Sequence, residues 1–280
     1  MDTFSADGLT FEVTDLGAAD DPAIVLLHGF PQDRTAWNEV GQSLATCGFR
    51  VLIPNLRGYS PEACPRSVSR YGSPRLVADV IALLDAAGVD RAHVVGHDWG
   101  GALTWTMRRT HPHRLRTATI VSTPHPQALA WGMLRTGQAV RSWYMLALVL
   151  PAVPEHVLTR HLARFLERSG LSAERANHYQ QRMRSDGVAR GAVNWYRRML
   201  FERLRPPKHP RPPASQHPVP TTYIYGRDDP FFSVDVMRKT ADVVRGLDVQ
   251  QIPGGHWLPE SEPDALTENI IRHVASVSTD

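Results

Sequence analysis

Asp98 stands at the centre of Gly96-His97-Asp98-Trp99-Gly100-Gly101, between the apolar run Ala92 to Val95 and the helix-like stretch ALTWTMRR. A sharp strand-to-helix turn holds its central residue in a strained conformation with the side chain lifted clear. It needs small residues two before and two after to avoid backbone clashes, and Gly96 and Gly100 occupy those places. Serine at such a point would suit acyl transfer. A carboxylate is a poor acyl acceptor but a competent nucleophile toward an electrophilic sp³ carbon, leaving an alkyl ester that water must cleave. Epoxides and alkyl halides are its natural targets. In isolation, a glycine-rich turn carrying Asp is more commonly a helix N-cap, so the weight falls on what accompanies it.

Three companions supply the rest of a hydrolytic centre. His28-Gly29-Phe30-Pro31 follows the run AIVLL, where the backbone N–H of Phe30 can join that of Trp99 as an oxyanion hole. His28 and Pro31 border the same loop and, with Trp99, are candidate substrate contacts, although a histidine there more commonly braces the loop by hydrogen bonding. Gly226-Arg227-Asp228-Asp229 leaves the run TTYIY, and Gly254-Gly255-His256-Trp257 follows a run ending at Ile252. The order Asp98, Asp229, His256 is nucleophile, acid, histidine. Asp228 competes with Asp229 for the acid's place.

The elements that must position these residues follow from periodicity. Ile24 to Leu27, Val51 to Pro54, Ala92 to Val95 and Ala118 to Val121 are short apolar runs with helix-like stretches between most of them. Val77 to Ala87 has helical spacing and stops at Gly88. This alternation predicts an α/β protein with a mostly parallel central sheet flanked by helices. It lapses after Val121 and resumes at Thr221 to Tyr225, with a helix around Val234 to Val244 and a last helix from about Asp264 to Val274. We therefore expect a core of residues 1–124 and 218–280, with an inserted helical lid at 125–217. The lid closes on the proline-dense run Arg205 to Pro220, which is neither regular helix nor central strand.

Composition narrows the partners. The 280 residues are 42% hydrophobic, enough for a substantial core, and the net charge is only +3. The cations are scattered, Lys208 and Lys239 are the only lysines, and no basic tract interleaved with aromatics is present, so nucleic acid is not expected. No apolar run reaches the length of a membrane span and the N-terminus lacks a secretory layout, which places the protein in the cytoplasm. Cys47 and Cys64 have no metal-type spacing and are expected to be reduced thiols. Neither metal nor cofactor is expected, and oligomeric state is not encoded in any pattern here.

From about Phe11 to the C-terminal helix the chain resembles the epoxide hydrolases of α/β-hydrolase fold. The resemblance rests on HGFPQ, RGYS (Arg57 to Ser60), AHVVGHDWGGAL, STPHPQAL (Ser122 to Leu129), SWYMLALVLPAVPE, NWYR (Asn194 to Arg197), GRDDPF and GGHWLPESEP. It implies an Asp98 nucleophile, an Asp229–His256 pair that activates water, and a small apolar epoxide as substrate. It also implies two lid tyrosines, Tyr144 in SWYM and Tyr196 in NWYR, donating hydrogen bonds to the epoxide oxygen. Phenol suits that task, being protonated at neutral pH yet acidic enough to stabilise an incipient alkoxide. Trp143 beside Tyr144 becomes a further candidate substrate contact, and Trp131, Met133, Met145 and Met199 are expected to help shape the cavity. Aromatic packing of lid on core is the competing account of the same tyrosines and tryptophans. The chain departs from its relatives at Val149, where they often carry Gln. GHDWGG alone is shared with haloalkane dehalogenases. Against that alternative, the chain has HGFP in place of the HGNP-like loop common in such enzymes, no acid just after Val121 where many of them place one, and the two lid tyrosines. A non-catalytic member of the fold is the more distant alternative.

Overall fold

A computed structural model describes residues 1–205, 207 and 219–277. The chain begins with β1 (Thr3–Ala6), β2 (Leu9–Leu16), β3 (Ala23–Leu27), α1 (Asn38–Thr46) and β4 (Arg50–Pro54). It continues through α2 (Ser73–Ala86), β5 (Ala92–His97), α3 (Trp99–Thr110) and β6 (Leu115–Val121). Six helices follow without a strand: α4 (Pro126–Arg135), α5 (Gln138–Arg141), α6 (Trp143–Leu148), α7 (Val153–Arg168), α8 (Ala173–Arg182) and α9 (Val188–Leu204). The alternation then returns with β7 (Thr221–Gly226), α10 (Val234–Val243), β8 (Asp248–Ile252), α11 (Leu258–Ser261) and α12 (Pro263–Ala275).

Among the described residues the eight strands form one sheet in the order β1-β2-β4-β3-β5-β6-β7-β8. The β1–β2 and β2–β4 pairs are antiparallel and every other pair is parallel. Helices cover both faces of the parallel part, so its inner strands are buried on both sides: all five residues of AIVLL in β3 are buried, whereas the edge strand β8 buries only Ile252. In β2 burial instead alternates about Phe11 and Val13, because only one face meets the core. β1 and β2 were not anticipated. Their signal was the Asp7-Gly8 pair, both at positive φ (53° and 72°), the residues a tight hairpin demands. Most of the Arg205 to Pro220 run, including the expected end of the lid, lies outside the described residues.

The topology gathers the ends of β3, β5, β7 and β8 along the carboxyl edge of the parallel sheet, the place where such sheets present their sites. The helices α4 to α9 leave the chain between β6 and β7 and close over that edge. Among the described residues no helix is long and apolar enough to cross a membrane, and Cys47 and Cys64 are free thiols.

Candidate active site

Asp98 follows β5 directly and caps α3 at φ 50°, ψ −115°. That positive φ costs a residue with a β-carbon roughly 1–3 kcal/mol and persists only where its surroundings over-determine it. They do so here. A β-carbon on Gly96 would lie 2.2 Å from the Gly100 carbonyl oxygen, and one on Gly100 would lie 2.2 Å from that of Leu27. The Asp98 carbonyl accepts from Thr123 Oγ1 (2.9 Å) and from the Ala102 N–H (2.9 Å). The side chain is thereby pointed out of the sheet, with 15% of it exposed to the cavity above.

Its carboxylate sits in a cradle of backbone donors. Oδ1 accepts from the Phe30 N–H at 2.8 Å, and the Trp99 N–H also donates to the carboxylate. Gly29 admits the loop this closely, since a β-carbon there would stand 2.3 Å from Asp98 Cβ. Burial pushes the Asp98 carboxyl above its ordinary value, against the opposing pull of His256 and the two amides.

His256 leaves the end of β8 with Nδ1 2.8 Å from Asp229 Oδ2 and Nε2 3.9 Å from Asp98 Oδ2. The other Asp229 oxygen accepts from the N–H groups of Phe231 (2.7 Å) and Phe232 (3.0 Å), which fixes the carboxylate against the ring. With Nδ1–H given to Asp229, Nε2 is the atom that faces Asp98. Burial disfavours the charged ring, but Asp229 and Asp98 outweigh it and His256 stands above its ordinary pKa. Asp228 is exposed, so the acid beside the histidine is Asp229.

The lid closes the cavity from above. Tyr196 on α9 is 2% exposed, its ring edge-on to Phe30 and Trp99 at 5.1 Å each. Tyr144 on α6 packs edge-on against Phe231 at 5.6 Å. Both tyrosines line a narrow cavity of about 20 Å³ together with Asp98, His256, Phe30 and Pro31. Burial raises both phenols well above their ordinary pKa, and the Asp98 carboxylate adds to it.

Several expected contacts are not on that wall. Trp143 is 62% exposed, because on the short helix α6 it faces away from its neighbour Tyr144, so it is not a substrate contact. His28 is fully buried beneath the loop, where Nε2 accepts from the Leu56 N–H at 3.0 Å and the ring meets Tyr59 edge-on. It braces and does not touch the cavity. Trp99 lies behind Tyr196, with its ring also tilted against Trp195 at 5.3 Å. Trp131 lies under the Lys239 ammonium, 5.7 Å from its ring centre, while Met145, Val149 and Met199 pack against the core; like Met133, they lie off the cavity wall. Phe165, Phe231 and Trp257 complete the wall instead. Phe231 and Trp257 were readable as neighbours of Asp229 and His256; Phe165, on an amphipathic lid helix, carried no signal. Among the described residues no group of three or more His, Cys, Asp or Glu could hold a metal ion.

Comparison with known proteins agrees with this architecture. Residues 22–263 match the family described as alpha/beta hydrolase fold. The AB hydrolase superfamily protein YfhM of Bacillus subtilis is 29% identical, with 96% of each chain covered. Epoxide hydrolase A of Mycobacterium tuberculosis is 26% identical, over 97% of this chain and 96% of that one. Among solved structures, an inhibitor complex of the Bacillus megaterium epoxide hydrolase superposes with a TM-score of 0.82 at 20% identity, covering 98% of this chain and 99% of that one. The chain belongs to the alpha/beta hydrolase fold family.

Proposed function

We propose that the chain is an epoxide hydrolase that converts a small apolar epoxide to a vicinal diol through an ester on Asp98. The observation that carries this is a carboxylate on the strained turn, roofed by two lid phenols and flanked by His256 at 3.9 Å. The names of the curated relatives support it.

The hydrogen bonds divide the labour between the two carboxylate oxygens. Oδ1 is held by the Phe30 amide, so Oδ2, which faces the histidine, is the attacking atom. It forms a bond to an epoxide carbon as the ring C–O bond breaks, and the released oxygen takes hydrogen bonds and then a proton from the Tyr144 and Tyr196 side. Their raised pKa values keep both phenols protonated for this step. His256 then removes a proton from water, which adds to the Asp98 carboxyl carbon. Negative charge develops on Oδ1, which already accepts from the Phe30 amide, and the Trp99 amide is the second donor of the proposed oxyanion hole, a stabilisation of roughly 2.7–4 kcal/mol per donor. Collapse breaks the bond between Oδ2 and the carboxyl carbon. His256 returns its proton to the departing Oδ2, so the diol leaves with that oxygen; the oxygen from water remains on Asp98, and the second water proton, released as Asp98 returns to a carboxylate, restores the phenol that protonated the opened ring. The cavity wall of Phe30, Pro31, Phe165, Phe231 and Trp257 fits an apolar substituent.

A single turnover of styrene oxide in ¹⁸O water with excess enzyme tests the route. Label in the Asp98 peptide with an unlabelled first diol is the expected result. Diol labelled in the first turnover would place the attack on water directly. Halide release from haloalkanes without diol from any epoxide would replace the reading with dehalogenation.

A further inference from the structure

Behind His256 the structure holds a second buried chain of polar groups that the chemistry above leaves unused. His97 is wholly buried, with Nε2 2.9 Å from the backbone carbonyl oxygen of His256 and Nδ1 2.9 Å from Gln32 Oε1. Gln32 Nε2 is 2.5 Å from Glu260 Oε2, and Glu260 Oε1 accepts from the Tyr179 hydroxyl at 2.8 Å. The chain therefore runs from the main chain of the candidate base, through α11, to the lid helix α8. None of its four side chains lines the cavity.

Counting hydrogens limits it to two states. A carbonyl oxygen only accepts, so His97 Nε2 carries a hydrogen. With the amide in the orientation given, Nδ1 also faces an acceptor and must carry a second hydrogen, making His97 a buried cation. Turning the Gln32 amide by 180° exchanges its oxygen and nitrogen. Its NH₂ then donates to a bare Nδ1, and its oxygen meets Glu260, which must supply an O–H. Both states contain the same protons and differ only in whether one of them resides on His97 or on Glu260.

Burial selects the second state: the first would place an imidazolium and a carboxylate where water cannot reach them, His97 being wholly buried and the Glu260 side chain only 4% exposed. The same burial holds His97 well below its ordinary pKa and lifts Glu260 above its own. The groups facing Glu260 are Tyr179 and Arg175 from α8, Gln32, and Asp33; the Arg175 guanidinium, 3.4 Å away, opposes the rise without cancelling it.

We propose that Glu260 is a positioning residue that works as the neutral acid: through the Gln32 amide it keeps His97 a neutral Nε2–H donor, which holds the His256 carbonyl and so aims the base. The neutrality matters because the His97 and His256 rings are 4.8 Å apart. An imidazolium at His97 would oppose the charge His256 must acquire when it takes a proton from water.

The inference rests on the two-step ester reading, and its test separates the steps. In single turnovers of styrene oxide, Glu260→Ala slows ester hydrolysis by about tenfold to a hundredfold while alkylation of Asp98 stays within about twofold. Glu260→Gln, a neutral donor of the same shape, restores hydrolysis to within about threefold. Equal losses in the two variants, or none in Glu260→Ala, would overturn the proposal. A second measurement needs neither variant nor substrate: the ¹⁵N-histidine spectrum of the unreacted protein at pH 7 should show His97 as the neutral Nε2–H tautomer. An imidazolium there refutes the proposal. A wild-type protein that forms no ester fails the functional reading instead, and the spectrum still decides this one.

Discussion

At the residue scale the chemistry turns on Asp98 and His256, whose charges act on each other across 3.9 Å. A group with a raised pKa keeps its proton to higher pH, and His256 is raised by Asp229 and Asp98 against the opposing effect of burial. Once Asp98 becomes an ester its charge is gone, and the part of the rise it supplied goes with it. The ring is then easier to deprotonate at the moment a base is needed. The acid limb of ester hydrolysis, measured in single turnovers, is therefore expected at lower pH than the His256 titration followed by NMR in the free protein. Coincident values would show that Asp98 does not tune the base. Replacing the base should stall the cycle halfway: His256→Gln is expected to alkylate normally yet lose turnover by at least about 10³-fold. Intact-protein mass would reveal the trapped adduct, and its absence would leave His256 without the assigned role.

At the scale of elements, one polar face of α8 clamps the lid to the core. Arg175, His178, Tyr179 and Arg182 recur at helical spacing and reach Glu260 and Asp33. Asp33, whose side chain is 4% exposed, accepts from His178 at 3.1 Å and pairs with Arg182 at 3.2 Å. Burial opposes its charge, but His178 and Thr35 hold it well below the ordinary carboxylate range. A depressed carboxylate stabilises the fold above its unfolded pKa and loses that contribution as pH falls through the folded one. Asp33→Asn is thus expected to cost about 1–3 kcal/mol in urea unfolding at neutral pH, and progressively less below about pH 4. A constant difference across that range would assign the loss to packing. This clamp was invisible in sequence, because a charged helix face reads the same whether it meets solvent or a buried acid. The parallel strands were legible because burial on both faces forces unbroken apolar runs. The site was legible because Asp98 and Asp229 each follow such a run, while His256, after the half-exposed strand DVQQI, was found through its Gly254-Gly255 turn and its place in the chain order. Trp143 misled for the converse reason: adjacency to Tyr144 says nothing of which face of a one-turn helix turns inward.

At the scale of the whole molecule, lid and core meet backbone to backbone where α9 crosses the Arg57–Ser60 turn. A β-carbon on Gly191 would lie 2.5 Å from Gly58 Cα and 2.7 Å from its carbonyl oxygen. Ordinary carbon contacts are about 3.5–4.0 Å, so an added methyl must lift α9 by about 1 Å. Tyr196 rides on the same helix, five residues along, whereas the Asp98 cradle and the Asp229–His256 pair belong to the core. On the proposed mechanism the two halves of the molecule serve different halves of the cycle: the lid supplies the donors for ring opening, and the core supplies the base and oxyanion amides for ester hydrolysis. Gly191→Ala is accordingly expected to slow alkylation by up to about a hundredfold while hydrolysis of the ester, once formed, proceeds at the parent rate. Quenched-flow measurement of both steps on one substrate provides the check. Equal slowing of both would mean that the lid shapes the entire site and that the division between lid and core does not hold.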